Sequence, residues 1–160
     1  MYVDTRQQAD KHRAKHDAFE RAGYRLVRTK LYVGDYQLPR GGRAVDTKRS
    51  IQELAMDVQR DHERFRREML KALDVGMELW VLTENRDGVR SLADLERWEE
   101  APRDLLKRKG GGARPIDGAA LAKACRTMHE RYGARFAFCR PDMAGAAVMY
   151  ILESEEEGKE

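Results

Sequence analysis

Leu31-Tyr32-Val33-Gly34-Asp35-Tyr36-Gln37-Leu38, Pro39-Arg40-Gly41-Gly42 and Arg43-Ala44-Val45-Asp46-Thr47-Lys48 follow one another without a break. The outer runs have strand composition and the middle one is made of turn residues, so the stretch predicts a β-hairpin. Side chains alternate faces along a strand. Leu31, Val33, Asp35 and Gln37 are therefore expected on one face of the first arm, and Ala44, Asp46 and Lys48 on one face of the second. A loop of Pro39 to Gly42 pairs Leu38 with Arg43, Tyr36 with Val45 and Asp35 with Asp46. Directly opposed residues point to the same side of a sheet with Cβ atoms roughly 4.5–5.5 Å apart, and like charges there are unfavourable. A hard divalent cation between two such carboxylates removes the objection. Lys48 lies two residues further along the same face.

Outward from the hairpin, the chain alternates strands and helices. Met1 to Asp4 and Tyr24 to Thr29 predict strands. Gln7 to Ala22 predicts a helix from the spacing of Ala14, Ala18, Phe19 and Ala22, with Gly23 as its stop. His12 and His16 lie four apart on it. That spacing suits a metal, but no third ligand is near, and an exposed polar face accounts for the pair. Downstream, Ser50-Ile51-Gln52-Glu53 is a capping box that starts a helix ended at Gly76. Ile51, Leu54, Val58, Phe65 and Met69 form its apolar stripe. Arg60, Arg64, Arg67 and Lys71 fall in one narrow sector at 100° per residue. Such a row can follow a phosphate backbone, or it is a solvated face whose bases pair with Asp57, Asp61, Glu63 and Glu68. Asp61 or Glu68 can also turn inward as an extra carboxylate.

Glu78 to Thr83 predicts a buried strand around Trp80, Ser91 to Glu100 a short acidic helix or loop, and Lys107 to Pro115 a flexible basic loop. Ala119 to Tyr132 predicts a helix, Arg135 to Cys139 a strand, Ala144 to Leu152 a last helix, and 153–160 an acidic, frayed tail.

With 160 residues, 41% of them hydrophobic, the chain suits one globular domain, 1–152. A net charge of +3 permits nucleic acid as a partner without demanding it. The two cysteines, Cys125 and Cys139, lack metal-type spacing and read as packed apolar residues, which fits a reduced, cytoplasmic setting. No apolar run reaches membrane-spanning length, so no membrane partner is expected.

The charged residues of the hairpin also resemble a known family. Val3-Asp4-Thr5-Arg6, Gly34-Asp35-Tyr36 and Asp46-Thr47-Lys48, in that order, resemble the three motifs of the XPF-type nuclease domain of the PD-(D/E)XK superfamily. The resemblance covers the chain to about Glu84, leaving 85–152 as a helical and strand extension. Three positions differ from the family's pattern: Gln7 and Asp46 stand where it has glutamate, and Thr47 where it has arginine. The resemblance implies a restriction-endonuclease-like α/β fold, a central mixed β-sheet flanked by helices. It implies a metal-dependent endonuclease acting on branched or flapped DNA. Asp35, Asp46 and the Thr47 carbonyl would hold Mg²⁺ or Mn²⁺, Lys48 would complete the catalytic set, and Asp4 and Arg6 would support it. A homodimer is one arrangement it allows. Two other readings fit the same residues: a non-catalytic, nuclease-like DNA-binding or scaffolding module, toward which Gln7 departs, and a metal-dependent phosphodiesterase acting on RNA.

Overall fold

In the structure, a computed structural model describing residues 1–108 and 114–154, the second arm of the hairpin is a full strand and the first is not. The strands are β1 (Tyr2–Asp4), β2 (Val27–Thr29), β3 (Tyr36–Gln37), β4 (Arg43–Lys48), β5 (Glu78–Glu84) and β6 (Arg135–Cys139). They form one six-stranded sheet in the order β2-β1-β3-β4-β5-β6. β3 runs antiparallel to both β1 and β4, and the other neighbours are parallel, so the sheet is mixed. Tyr36 faces Val45 and Gln37 faces Ala44, as in the predicted register, but the ladder stops there: the expected pairs Leu38 with Arg43 and Asp35 with Asp46 do not form.

The expected strand from Leu31 is cut short at Gly34. That residue has φ +72°, and a Cβ there would stand 3.1 Å from both Ala44 Cβ and the Val45 carbonyl oxygen. Glycine alone supplies this left-handed turn and close approach at no steric cost. Beyond it the Asp35 amide donates to Val45 O at 2.8 Å instead of extending the ladder toward Asp46.

Seven α-helices cover the sheet among the described residues: α1 (Arg13–Arg21), α2 (Ile51–Gln59), α3 (His62–Asp74), α4 (Leu92–Glu96), α5 (Pro102–Lys107), α6 (Gly118–Tyr132) and α7 (Ala144–Glu153). One face carries α2, α3, α4 and α6 through Ile51, Leu54, Phe65, Met69, Leu95 and Leu121 against Ala44, Leu79 and Val81. The other carries α1 and α7 through Phe19, Val148 and Ile151 against Tyr36, Val45 and Leu82. Central strands buried on both faces alternate which core they feed, as β4 does with Ala44 and Val45.

Ser50 caps the helix as expected, its Oγ accepting the Glu53 amide at 3.1 Å, while Glu53 Oε2 reaches one residue past the cap to accept the Arg49 amide at 2.9 Å. The single long helix predicted after it is two helices, broken between Gln59 and His62. Only Arg13–Arg21 of the first predicted helix is α-helical, preceded by a 3₁₀ turn at Ala9–His12. Helix α5 was not legible in the sequence. Trp80 is half-buried rather than core, sandwiched by Arg43 and Arg135 over its ring at 5.2 and 6.0 Å. Most of the basic loop, 109–113, and of the acidic tail, 155–160, lies outside the described residues. No helix among the described residues is long and apolar enough to cross a membrane.

Candidate active site

The C-terminal half of β4 delivers Asp46 and Lys48 to one face, where α2 and α3 leave a cavity of about 230 Å³ beside the Gly34 turn. Asp4, Arg6, Asp35, Asp46, Lys48, Asp57, Arg64 and Glu68 line it, five acids against three bases. The three residues expected to carry chemistry, Asp35, Asp46 and Lys48, thus stand around one space. Asp4 and Arg6 border it too. Buried Asp4 accepts the Leu31 amide through Oδ1 at 3.0 Å and pairs with Arg6 Nε through Oδ2 at 2.8 Å. Arg6 also donates to the Leu31 carbonyl at 2.9 Å. These two residues fix the loop that leads into Gly34.

Asp35 Oδ2 accepts from the Thr47 amide at 2.8 Å and from its hydroxyl at 3.1 Å. Thr47 does not line the cavity, because alternation along β4 turns its side chain away from the face of Asp46 and Lys48. It orients Asp35 instead. The Lys48 ammonium, buried over the Phe65 ring at 5.6 Å, lies 2.8 Å from Asp46 Oδ2 and in direct contact with Asp57. The solvated-face reading of the basic row does not hold for Asp57, which is buried, binds Lys48, and stands 3.6 Å from Arg64. The signal that could have found it is its place on the capped helix that follows the Asp-x-Lys motif.

Burial raises the proton affinity of Asp35, and the charge of Asp46 raises it further, while the Thr47 amide and Lys48 oppose the rise. The carboxyl is held well above the usual carboxylate range. For Lys48, burial works against the charged form, but Asp46 and Asp57 outweigh it and the pKa rises. Lys48 is therefore a fixed cation and donor, not a base, near neutral pH.

Among the described residues, no three His, Cys, Asp or Glu side chains stand together closely enough to hold a metal ion. The donor set is two carboxylates: Asp35 Oδ2 accepts from Thr47, and Asp46 Oδ2 is ion-paired with Lys48 yet buried with no hydrogen bond. Mg²⁺ is commonly held in this way, by one or two carboxylates with waters and substrate phosphate filling the remaining positions. The chemistry of the donors fits such a cation.

The basic row is divided by the helix break. Arg64 alone reaches the cavity, and Asp57 and Asp61 flank it at 3.6 and 3.5 Å. Lys71 pairs with Glu68 at 3.5 Å. Arg67 has no carboxylate partner among the described residues, and Arg60 borders a separate depression beside Met56 and Gln59. Of the two candidate inward acids, Glu68 borders the cavity and Asp61 does not. The histidine pair is not an exposed polar face: both rings are half-buried, and His16 Nε2 lies 3.1 Å from the hydroxyl of buried Tyr36. Both cysteines are buried, and burial pushes Cys125 up to about 12 and Cys139 to about 11, so neither is a nucleophile near neutral pH.

The sequence matches no protein-family model and no curated protein. Solved structures do match, among them XPF from Aeropyrum pernix, with a TM-score of 0.63 over 98% of this chain at 16% identity. This chain spans 66% of the length of that one. At such identity the likeness shows the fold alone: the mixed sheet and its flanking helices are similar to the XPF nuclease fold.

Proposed function

We propose that the protein is a Mg²⁺- or Mn²⁺-dependent DNA endonuclease acting on branched or flapped DNA. The observation that supports this best is the meeting of Asp35, Asp46 and Lys48 around one cavity at the end of β4. Asp35 and Asp46 would hold the cation, with the Thr47 carbonyl as the further oxygen that the family resemblance implies. When bound, the cation supplies a water of lowered pKa and neutralises phosphate charge. Lys48, held between Asp46 and Asp57, would set its positive charge beside the water or the developing charge on the phosphate. Thr47 keeps Asp35 oriented, and the Asp4–Arg6 pair keeps the Gly34 turn in place. Asp57 is a positioning residue that acts through Lys48.

The test is cleavage of labelled flap, duplex and single-stranded DNA, and of RNA, in EDTA and with Mg²⁺ restored. The expected result is no product in EDTA and DNA cleavage on restoration. Equal cleavage in both conditions overturns the metal mechanism, RNA cleavage alone overturns the choice of substrate, and binding without cleavage supports the non-catalytic module.

A further inference from the structure

At the end of β4 the chain passes from Lys48, in the cavity, to Arg49, which borders a second and larger cleft. This cleft, of about 510 Å³, lies at the C-terminal ends of β4 and β5 and is closed on one side by α5. Its charge is opposite to that of the cavity: Arg49, Arg86, Arg103, Lys107 and Arg108 line it against Glu84, Asp87 and Asp104. The acids are engaged in part elsewhere. Glu84 pairs with buried Lys15 at 2.9 Å, and Asp87 accepts from Trp98 Nε1 at 3.0 Å. Arg108 is spoken for by Glu100 at 2.6 Å. Arg49, Arg86, Arg103 and Lys107 are exposed, and their side chains have no carboxylate partner among the described residues.

Arg103 and Lys107 are four apart on α5, a spacing that brings like charges together, with Asp104 three residues before Lys107 on the same helix. Pro102 at its first position aids the start of a helix short enough to need help. On α3, Arg64 and Lys71 have acidic neighbours, whereas Arg67 does not among the described residues. What distinguishes the cleft is that four cations without a carboxylate partner among the described residues, Arg49, Arg86, Arg103 and Lys107, border one concavity.

We infer that the cleft binds the phosphodiester backbone of a nucleic-acid strand, continuing past Arg49 from the phosphate held at Lys48. The inference rests on the nuclease reading for the identity of that strand as DNA. Unpaired arginines and lysines in a groove release counterions when they take phosphates, so the contribution is sequence-independent and salt-dependent.

The experiment compares the parent with an Arg86→Ala, Arg103→Ala, Lys107→Ala variant and with Arg103→Glu alone, all by anisotropy of a labelled single-stranded oligonucleotide in EDTA across a salt series. Loss of three contacts lowers the salt slope by about two units and the affinity by roughly tenfold or more at low salt. The Arg103→Glu reversal alone also lowers affinity relative to the parent. An unchanged slope in both variants, with parental melting curves, overturns the proposal. ATP serves as the competing probe: complete displacement of the oligonucleotide by ATP, lost in the triple variant, makes the cleft a nucleotide pocket and overturns the assignment to a strand. Because binding is read without turnover, the two failures separate. A parent that binds with the expected slope but never cuts with Mg²⁺ ends the nuclease reading and keeps the cleft, whereas a parent that cuts beside a variant that binds equally ends the cleft.

Discussion

The cavity at Lys48 and the cleft at Arg49 occupy the same end of one strand yet are built in opposite ways. In the cavity the bases are paired and carboxylates are in excess: Lys48 is shared by Asp46 and Asp57, Arg6 is taken by Asp4, and Arg64 lies between Asp57 and Asp61. In the cleft Glu84 is paired with Lys15, and four bases without a carboxylate partner among the described residues face one unpaired acid, Asp104. An excess of buried carboxylate attracts a cation, and an excess of exposed base attracts phosphate. A net charge of +3 conceals both. The last residue of a strand and the one that follows it can therefore face different ligands.

The contrast breaks most severely at Lys48. Lys48→Ala should lower turnover on a labelled flap substrate by about 10²–10³-fold, since a positioned charge is worth most at the transition state. DNA affinity should stay within about twofold, because binding is carried by the unpaired bases and not by this paired one. A large affinity loss with unchanged turnover would show that Lys48 belongs with the cleft.

Gly34→Ala tests whether the cavity depends on the turn that shapes it. The added Cβ meets Ala44 Cβ and the Val45 carbonyl at 3.1 Å with φ at +72°. A loss of about 1–3 kcal/mol is expected, read as a lower denaturant midpoint. The same change at exposed Arg86 should leave the midpoint unmoved. An unaltered midpoint for Gly34→Ala would mean that the loop relaxes freely.

Asp35→Asn probes the excess of carboxylate itself, in EDTA. The folded state holds the Asp35 proton more tightly than the unfolded chain does, so the parent loses stability as pH rises from the ordinary carboxylate range toward 7. The variant has no such loss. The two should melt alike near about pH 4, and the variant should be more stable by about 1 kcal/mol near about pH 8, a value discounted for the solvent that reaches this half-buried group. That corresponds to roughly 2–4 °C. Added Mg²⁺ should raise the parent's melting temperature more than the variant's, by mass action on the native state. A variant less stable at both pH values would show that the carboxylate is needed for its bonds to Thr47.

The smallest effect is expected from Arg64→Ala with Arg67→Ala. Arg64 is already neutralised by Asp57 and Asp61, so the salt slope of DNA binding should fall by about one unit or less, below the change expected from the cleft. A larger fall would move the main phosphate track from the cleft to α3.

The hairpin, its register at Tyr36 and Val45 and the Ser50 cap were legible because each depends on neighbours in the chain: turn residues between two strand runs, alternation with a period of two, and a serine three residues before a glutamate. Asp46 and Lys48 share a face of β4 as the alternation predicts, whereas Asp35 reaches the same cavity from the Gly34 turn and not as the strand partner of Asp46. The sequence could not show that Gly34 turns the chain so that Asp35 reaches Thr47, since that turn is set by the close passage of β4 beneath it. It could not show Asp57 either, whose pairing with Lys48 depends on how α2 docks on the sheet. The basic row was drawn on a continuous helix, and the break between Gln59 and His62 divided it. Which bases are paired and which stand free is likewise a tertiary outcome. Local patterns determine the strands, the caps and the shared face of Asp46 and Lys48, because their partners lie within a few residues. The balance of charge around each site comes from side chains as far apart in sequence as Lys15 and Glu84, or Arg49 and Arg103, and only the packing of helices against the ends of the strands decides it.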